Sequence, residues 1–249
     1  MSRKIALSIE PGAAHWAAAS MKDIEALGAQ GVEWSADPRA KEPEHRMAGR
    51  PRILVLSATC EIFDCASEQV QLLLRRAASC GAEYLNLRFG RGSADGSPSG
   101  DYAGELHAVH ELLRRVRFDV EASGVQLAVQ AVEGEFLGSP IELRDAVDAA
   151  NCWAIVACID IATTWTVGRA ADWIGTLGRR LCIVRIAPAP GELADRDSQV
   201  SQALNGAGFC GCIVLRASAF DEENRIRPGA WLHRFNAVAD CESRDRRLG

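Results

Sequence analysis

No lysine follows Lys41 in this chain of 249 residues. Lys4, Lys22 and Lys41 are the only lysines among 28 basic residues, the rest being arginine. That excludes a Schiff-base lysine from any strand beyond the second and argues against a lysine-dependent aldolase. The nine cysteines, at positions 60, 65, 80, 152, 158, 182, 210, 212 and 241, contain no CxxC pair and no framework spacing, so reduced core thiols are expected. Histidine is scarce as well. His15, His45, His107, His110 and His233 all fall in segments that read as helices or loops, and the His107/His110 pair at i, i+3 reads as a solvated helix face rather than a metal site. Without a histidine-rich cluster, a metal-dependent abasic-site nuclease is excluded. No basic stretch with interleaved aromatics is present and the formal charge is -5, so neither nucleic acid nor an anionic membrane is an expected partner. The opening MSRKIALSIEPG has only a short apolar run before Glu10 and Pro11; the expectation is no signal peptide, no membrane span and a cytosolic protein.

What the chain does contain is a repeated alternation of short apolar runs and amphipathic segments. Strands are predicted at Lys4–Glu10, Gly31–Ser35, Arg52–Thr59, Glu83–Phe89, Gln126–Ala131, within Asn151–Thr166, at Leu181–Ile186 and at Cys210–Leu215. Helices are predicted at 13–29, briefly at 44–48, and at 67–79, 102–122, from Ser139-Pro140 onward, 167–177, 197–205 and 230–240. Ser139 followed by Pro140 is a capping residue ahead of a first-turn proline. The low-complexity stretch GRGSADGSPSGD after the fourth strand reads as a mobile loop. Eight strands with helical returns and no hairpin turns point to a single-domain (β/α)8 TIM barrel over residues 1–249. An open doubly wound sheet is the competing fold, and SIEPGAAH lacks the GxGxxG that such a sheet carries after its first strand.

The sixth apolar run, NCWAIVACIDIATTWT, holds one acid. Alternation places Ala154, Val156, Cys158 and Asp160 on one face, with Asp160 at the C-terminal end where barrel sites are built. Collecting the other predicted strand ends gives Glu10, Glu33, Glu61, Arg88, Gln130, Glu133, Arg185 and Arg216, with Trp34 and Trp165 nearby. Cys158 and Cys212 should lie below this level as core residues. Cys60 lies nearer the top but has no histidine to act as its base.

Three stretches, GVQLAVQAVEGEFLGSPIELRDAVDAAN, WAIVACIDIATTW and AADWIGTLGRRLCIVRIAPA, resemble the xylose-isomerase-like TIM-barrel family of sugar and sugar-phosphate isomerases and epimerases. The likeness covers residues 120–190. It implies a barrel with a divalent-metal site at the strand ends, and frequent homodimers. The family's strand-five Glu is Gln130 here, and Asp160 matches its strand-six Asp. The histidine that follows three residues later is Thr163. The strand-seven histidine is Arg185 and the strand-eight Glu is Arg216. An arginine repels a divalent cation, so no metal and no other cofactor is expected.

Two readings of this acid and arginine set remain open on sequence alone. In one, Arg185 and Arg216 fill the space of the lost cation and pair with Asp160 and one glutamate as a structural cluster. In the other they face a pocket and hold a small anionic or hydroxylated metabolite bidentately. In that case Glu10, Glu61, Arg88, Gln130 and Asp160 are substrate contacts, and Trp34 or Trp165 is an apolar floor for a sugar ring. Carried to catalysis, Arg185 and Arg216 stabilise an enediolate and Glu10, Glu61 or Glu133 moves the proton without a metal. The alternative class is a non-catalytic descendant that binds a ligand or a protein.

Overall fold

A computed structural model describes residues 3–9, 29–35, 52–61, 67–90, 101–131, 136–161, 167–187 and 194–216. The expected helices at 13–29, 44–48 and 230–240, most of the GRGSADGSPSGD loop, and Glu10, Glu133, Thr163 and Trp165 lie outside them. Glu61 is described for its backbone alone.

Eight strands, β1 (Lys4–Ile9), β2 (Gly31–Ser35), β3 (Ile53–Glu61), β4 (Tyr84–Gly90), β5 (Gln126–Ala131), β6 (Ile155–Ile161), β7 (Leu181–Ile186) and β8 (Cys212–Arg216), pair in sequence order into a closed barrel. Every pairing is parallel, and β8 closes on β1 through Lys4–Cys212 to Ser8–Arg216. The (β/α)8 expectation holds and the open sheet is ruled out. The described helices are α1 (Ser67–Cys80), α2 (Tyr102–Ser123), α3 (Pro140–Ala149), α4 (Val167–Leu177) and α5 (Ala194–Gly206), with a 3-10 turn at Gly178–Arg180.

Local chemistry sets the helix ends. Ser139 and Glu142 form a reciprocal capping box with Pro140 in the first turn of α3. Asp101 caps α2, whose C-terminus is turned out by Gly124 at φ 71°.

The core has two layers. Val109, Leu113, Val116, Leu143, Ile159 and Trp173 belong to the large layer between strands and helices, while Ala6, Val55, Tyr84, Ala128, Val156, Cys158, Ile183, Cys212 and Val214 fill the barrel lumen. Strand β6 is buried on both faces throughout its length, which is why its sequence is one apolar run and not an alternation. Gly211 is required at the entry to β8: a Cβ there would lie 2.0 Å from the Cys182 carbonyl oxygen.

The lumen is apolar at the N-terminal end and polar at the other. Ser8, Glu33, Asn86, Gln130 and Asp160 are all buried polar residues, and all but Glu33 belong to strands whose lower lumen positions lie in the apolar cluster. That gradient positions the site.

Candidate functional site

Strand geometry explains how the polar side chains converge. Asp160 stands beside Arg185 in the β6–β7 register, Arg88 beside Gln130 in β4–β5, and Ser57 beside Asn86 in β3–β4. A residue on one strand therefore meets its lateral neighbour at about 4.8 Å backbone spacing, close enough for direct side-chain bonds.

Asp160 accepts from two arginines on the same oxygen, Oδ2: Arg216 Nη2, and Arg185 Nη1 at 3.3 Å. The other arm of Arg185 crosses the lumen, where Nη2 donates to Glu33 Oε2 at 3.0 Å. Glu33 Oε1 in turn accepts from the Ser57 hydroxyl at 2.5 Å. Asn86 Nδ2 donates to Ser57 Oγ at 3.2 Å and to Gln130 Oε1 at 2.7 Å. The result is one continuous chain, Arg216–Asp160–Arg185–Glu33–Ser57–Asn86–Gln130, spanning seven strands, every one but β1.

The charge on Glu33 fixes the direction of the protons along it. An ionised carboxylate only accepts, so Ser57 must donate to it, and Ser57 Oγ must then accept from the Asn86 amide nitrogen. Gln130 therefore presents its carbonyl to Asn86 and turns its own Nε2 away. Three polar atoms end without a hydrogen-bond partner among the described residues: Asn86 Oδ1, Asp160 Oδ1 and Arg185 Nε. Two of them are acceptors, and their residues are only 1% and 7% exposed.

Electrostatics keep the Arg185 guanidinium charged. Burial alone would lower the Arg185 pKa, but the carboxylates of Glu33 and Asp160 outweigh it and hold the guanidinium above its ordinary value. Its side chain is 17% exposed, against 34% for Arg216, so Arg185 is the internal cation and Arg216 reaches the mouth. Cys158 lies beneath the network, and burial drives its thiol well above the usual range, with Arg185 only partly offsetting this. Cys212, fully buried, is shifted upward for the same first reason. Neither has the thiolate character of a nucleophile.

Of the residues expected from sequence, Glu33, Gln130, Asp160, Arg185 and Arg216 are brought into one network, and Arg88 adjoins it through Gln130. Trp34 is not brought there. Alternation along β2 puts Glu33 into the lumen and Trp34 on the opposite face, where it packs against the outer core, so it cannot form a floor for a sugar ring. Cys60 likewise belongs to the outer layer. Ser57 and Asn86 were missed by the strand-end criterion. Their signal was a polar residue flanked by apolar neighbours inside RILVLSAT and EYLNLRF, the same signal that marks Asp160.

Neither a protein-family model nor a curated protein sequence matches this chain. Solved structures do. An L-ribulose 3-epimerase superposes with TM-score 0.69 at 11% identity, covering 100% of this chain and 98% of its own. An AP endonuclease of family 2 from Brucella melitensis gives 0.67 at 13% identity, covering 94% and 98%. A xylose isomerase-like TIM barrel protein from Mycobacterium smegmatis, in complex with magnesium, gives 0.60 at 12% identity, covering 96% of each chain. At such identities the likeness carries architecture and no activity. This chain has the fold of the xylose-isomerase-like TIM barrels.

Proposed function

We propose that this barrel binds a small polyhydroxylated acid at its C-terminal mouth, and that the Arg185 and Arg216 guanidiniums stand in place of a divalent cation. The observation that carries the reading is the chain Arg216–Asp160–Arg185–Glu33 across the top of the lumen. A divalent ion needs several oxygen or nitrogen donors free to converge on it. Here Asp160 Oδ2 is shared by two guanidiniums and both oxygens of Glu33 are engaged. Among the described residues no three of His, Cys, Asp or Glu come together in a way that could hold a metal. The donor set does not fit the magnesium that the mycobacterial structure contains.

The ligand class follows from what the network leaves unused. Buried acceptors at Asn86 Oδ1 and Asp160 Oδ1 call for hydroxyl donors, because an unpartnered buried acceptor costs about 1–3 kcal/mol. Arg216, at the open end, calls for a carboxylate or phosphate. A hydroxylated acid meets both demands. In the catalytic form of this reading, a metal-independent isomerase or epimerase, Arg185 and Arg216 stabilise the enediolate and Glu133 moves the proton.

A second reading, a non-catalytic descendant with a purely structural cluster, is favoured by one observation. Arg185 is bound on both arms by carboxylates of its own chain, leaving only Nε to offer a ligand. Thermal shift with D-gluconate and D-glucuronate separates the two. Ligand binding predicts a raised melting temperature in the native protein and none in Arg216→Ala, whose own stability changes by less than about 1 kcal/mol because its partly exposed pair is screened and Arg185 still holds Asp160. No shift with either compound, together with a strongly destabilised Arg216→Ala, would leave the structural reading standing.

A further inference from the structure

At the opposite end of the barrel a second recess opens. It is a cleft of about 460 Å³ between the C-terminal end of α3, the turn entering β6 and the Gly178–Arg180 turn, within the range of about 300–1,000 Å³ typical of small-molecule sites. Asp160 is five residues along β6 from the cleft residue Ile155, a separation of about 16 Å at strand rise. The two sites share no residue.

Its walls carry three features. Trp153 is 75% exposed, the most exposed large apolar side chain among the described residues. The turn that presents it is held at both sides: Asn151 adopts φ 48° and donates its backbone N–H to the Asp148 carbonyl at 3.0 Å, and the Cys152 thiol donates to the Arg117 carbonyl at 3.7 Å. Asp148 is already neutralised by a two-armed pair with Arg180, one arm at 2.8 Å. Arg179, the remaining cation on the cleft wall, forms no ion pair among the described residues, which therefore leave its positive charge uncompensated beside an open indole face.

We infer that this cleft is a binding site for a planar aromatic anion of nucleoside monophosphate type, its ring stacked on Trp153 and its acidic group on Arg179. Stacking on an exposed indole and pairing with a guanidinium are the two interactions these walls supply. A neutral ring or a bare phosphate takes only one of them. The inference does not depend on what the barrel mouth binds.

Titration calorimetry with adenosine 5′-monophosphate tests it. The native protein should bind the nucleotide, with adenosine and inorganic phosphate each at least about tenfold weaker. Trp153→Ala and Arg179→Ala each weaken nucleotide binding by about tenfold, the worth of one stacked base or one desolvated ion pair. Both positions are exposed, so the variants keep the fold, which circular dichroism verifies. Arg216→Ala leaves nucleotide binding unchanged. Absence of binding at millimolar nucleotide overturns the inference, as does binding that survives both cleft variants. Self-association that is lost in Trp153→Ala, without nucleotide binding, overturns it too and identifies the face as a contact between copies of the chain.

Discussion

Asp160→Ala is expected to cost about 3–5 kcal/mol of folding free energy, because it strips a buried carboxylate from between two cations. Asp160 is 7% exposed and is the joint acceptor for Arg185 and Arg216. Without it Arg185 keeps one partner, Glu33, and its other arm faces the lumen with nothing ionised to meet it. Arg216 can swing toward water, since a third of its side chain is already exposed, so most of the penalty falls on Arg185. For a chain of this size the corresponding fall in melting temperature is on the order of 10 °C. Urea unfolding gives the free energy directly. A loss below about 1 kcal/mol would mean that the interior is wetter than the geometry implies, and the network would then not be a buried one.

Arg185→Ala should be as damaging from the other side. It leaves Glu33, 1% exposed, and Asp160 in the lumen without the cation that lies between them. Asp160 retains Arg216, whereas Glu33 retains only the Ser57 hydroxyl, so Glu33 bears the larger cost, about 3–5 kcal/mol for an uncompensated buried charge. The diagnostic feature is non-additivity. Glu33→Gln, Asp160→Asn and Arg185→Met combined remove the three most buried charges together, leaving Arg216, a third exposed, to turn to water. The combination should recover most of the stability that Arg185→Ala loses, since buried ions replaced together by neutral groups are often neutral or favourable. Denaturant midpoints of the single and triple variants measure this. A triple variant no more stable than Arg185→Ala would show that Arg185 contributes by packing and not by charge.

Much of this was legible in the sequence because barrel strands advertise themselves. β2, β5 and β7 fall at the bounds that apolar periodicity predicts, and Asp160 stood out as the single acid in a run buried on both faces. The pairing of Asp160 with Arg185 followed from lateral register, once eight parallel strands were granted, whereas Arg216 reaches Asp160 from two strands away. What sequence could not supply was which glutamate completes the cluster. Glu10, Glu33, Glu61 and Glu133 were equal candidates by strand-end position, and only lumen geometry brings Glu33 across to Arg185. Trp34 was misplaced for a related reason. Adjacent residues at a strand end lie on opposite faces, so proximity in sequence to Glu33 took Trp34 away from the lumen. Ser57 and Asn86 went unnoticed because a single serine or asparagine among apolar residues is a weaker mark than a charge, although it obeys the same rule about buried polar groups.

The central proposal is that the Arg185 and Arg216 guanidiniums stand in place of a divalent cation, such as the magnesium of the mycobacterial barrel. Elemental analysis of freshly purified protein, prepared without chelator and without a histidine tag, tests it most directly, alongside melting curves with added manganese, magnesium, zinc and cobalt. The account predicts metal far below stoichiometry and no rise in melting temperature with any of the four ions. Near-stoichiometric metal that survives dialysis, or a rise of several degrees with one ion, would contradict it.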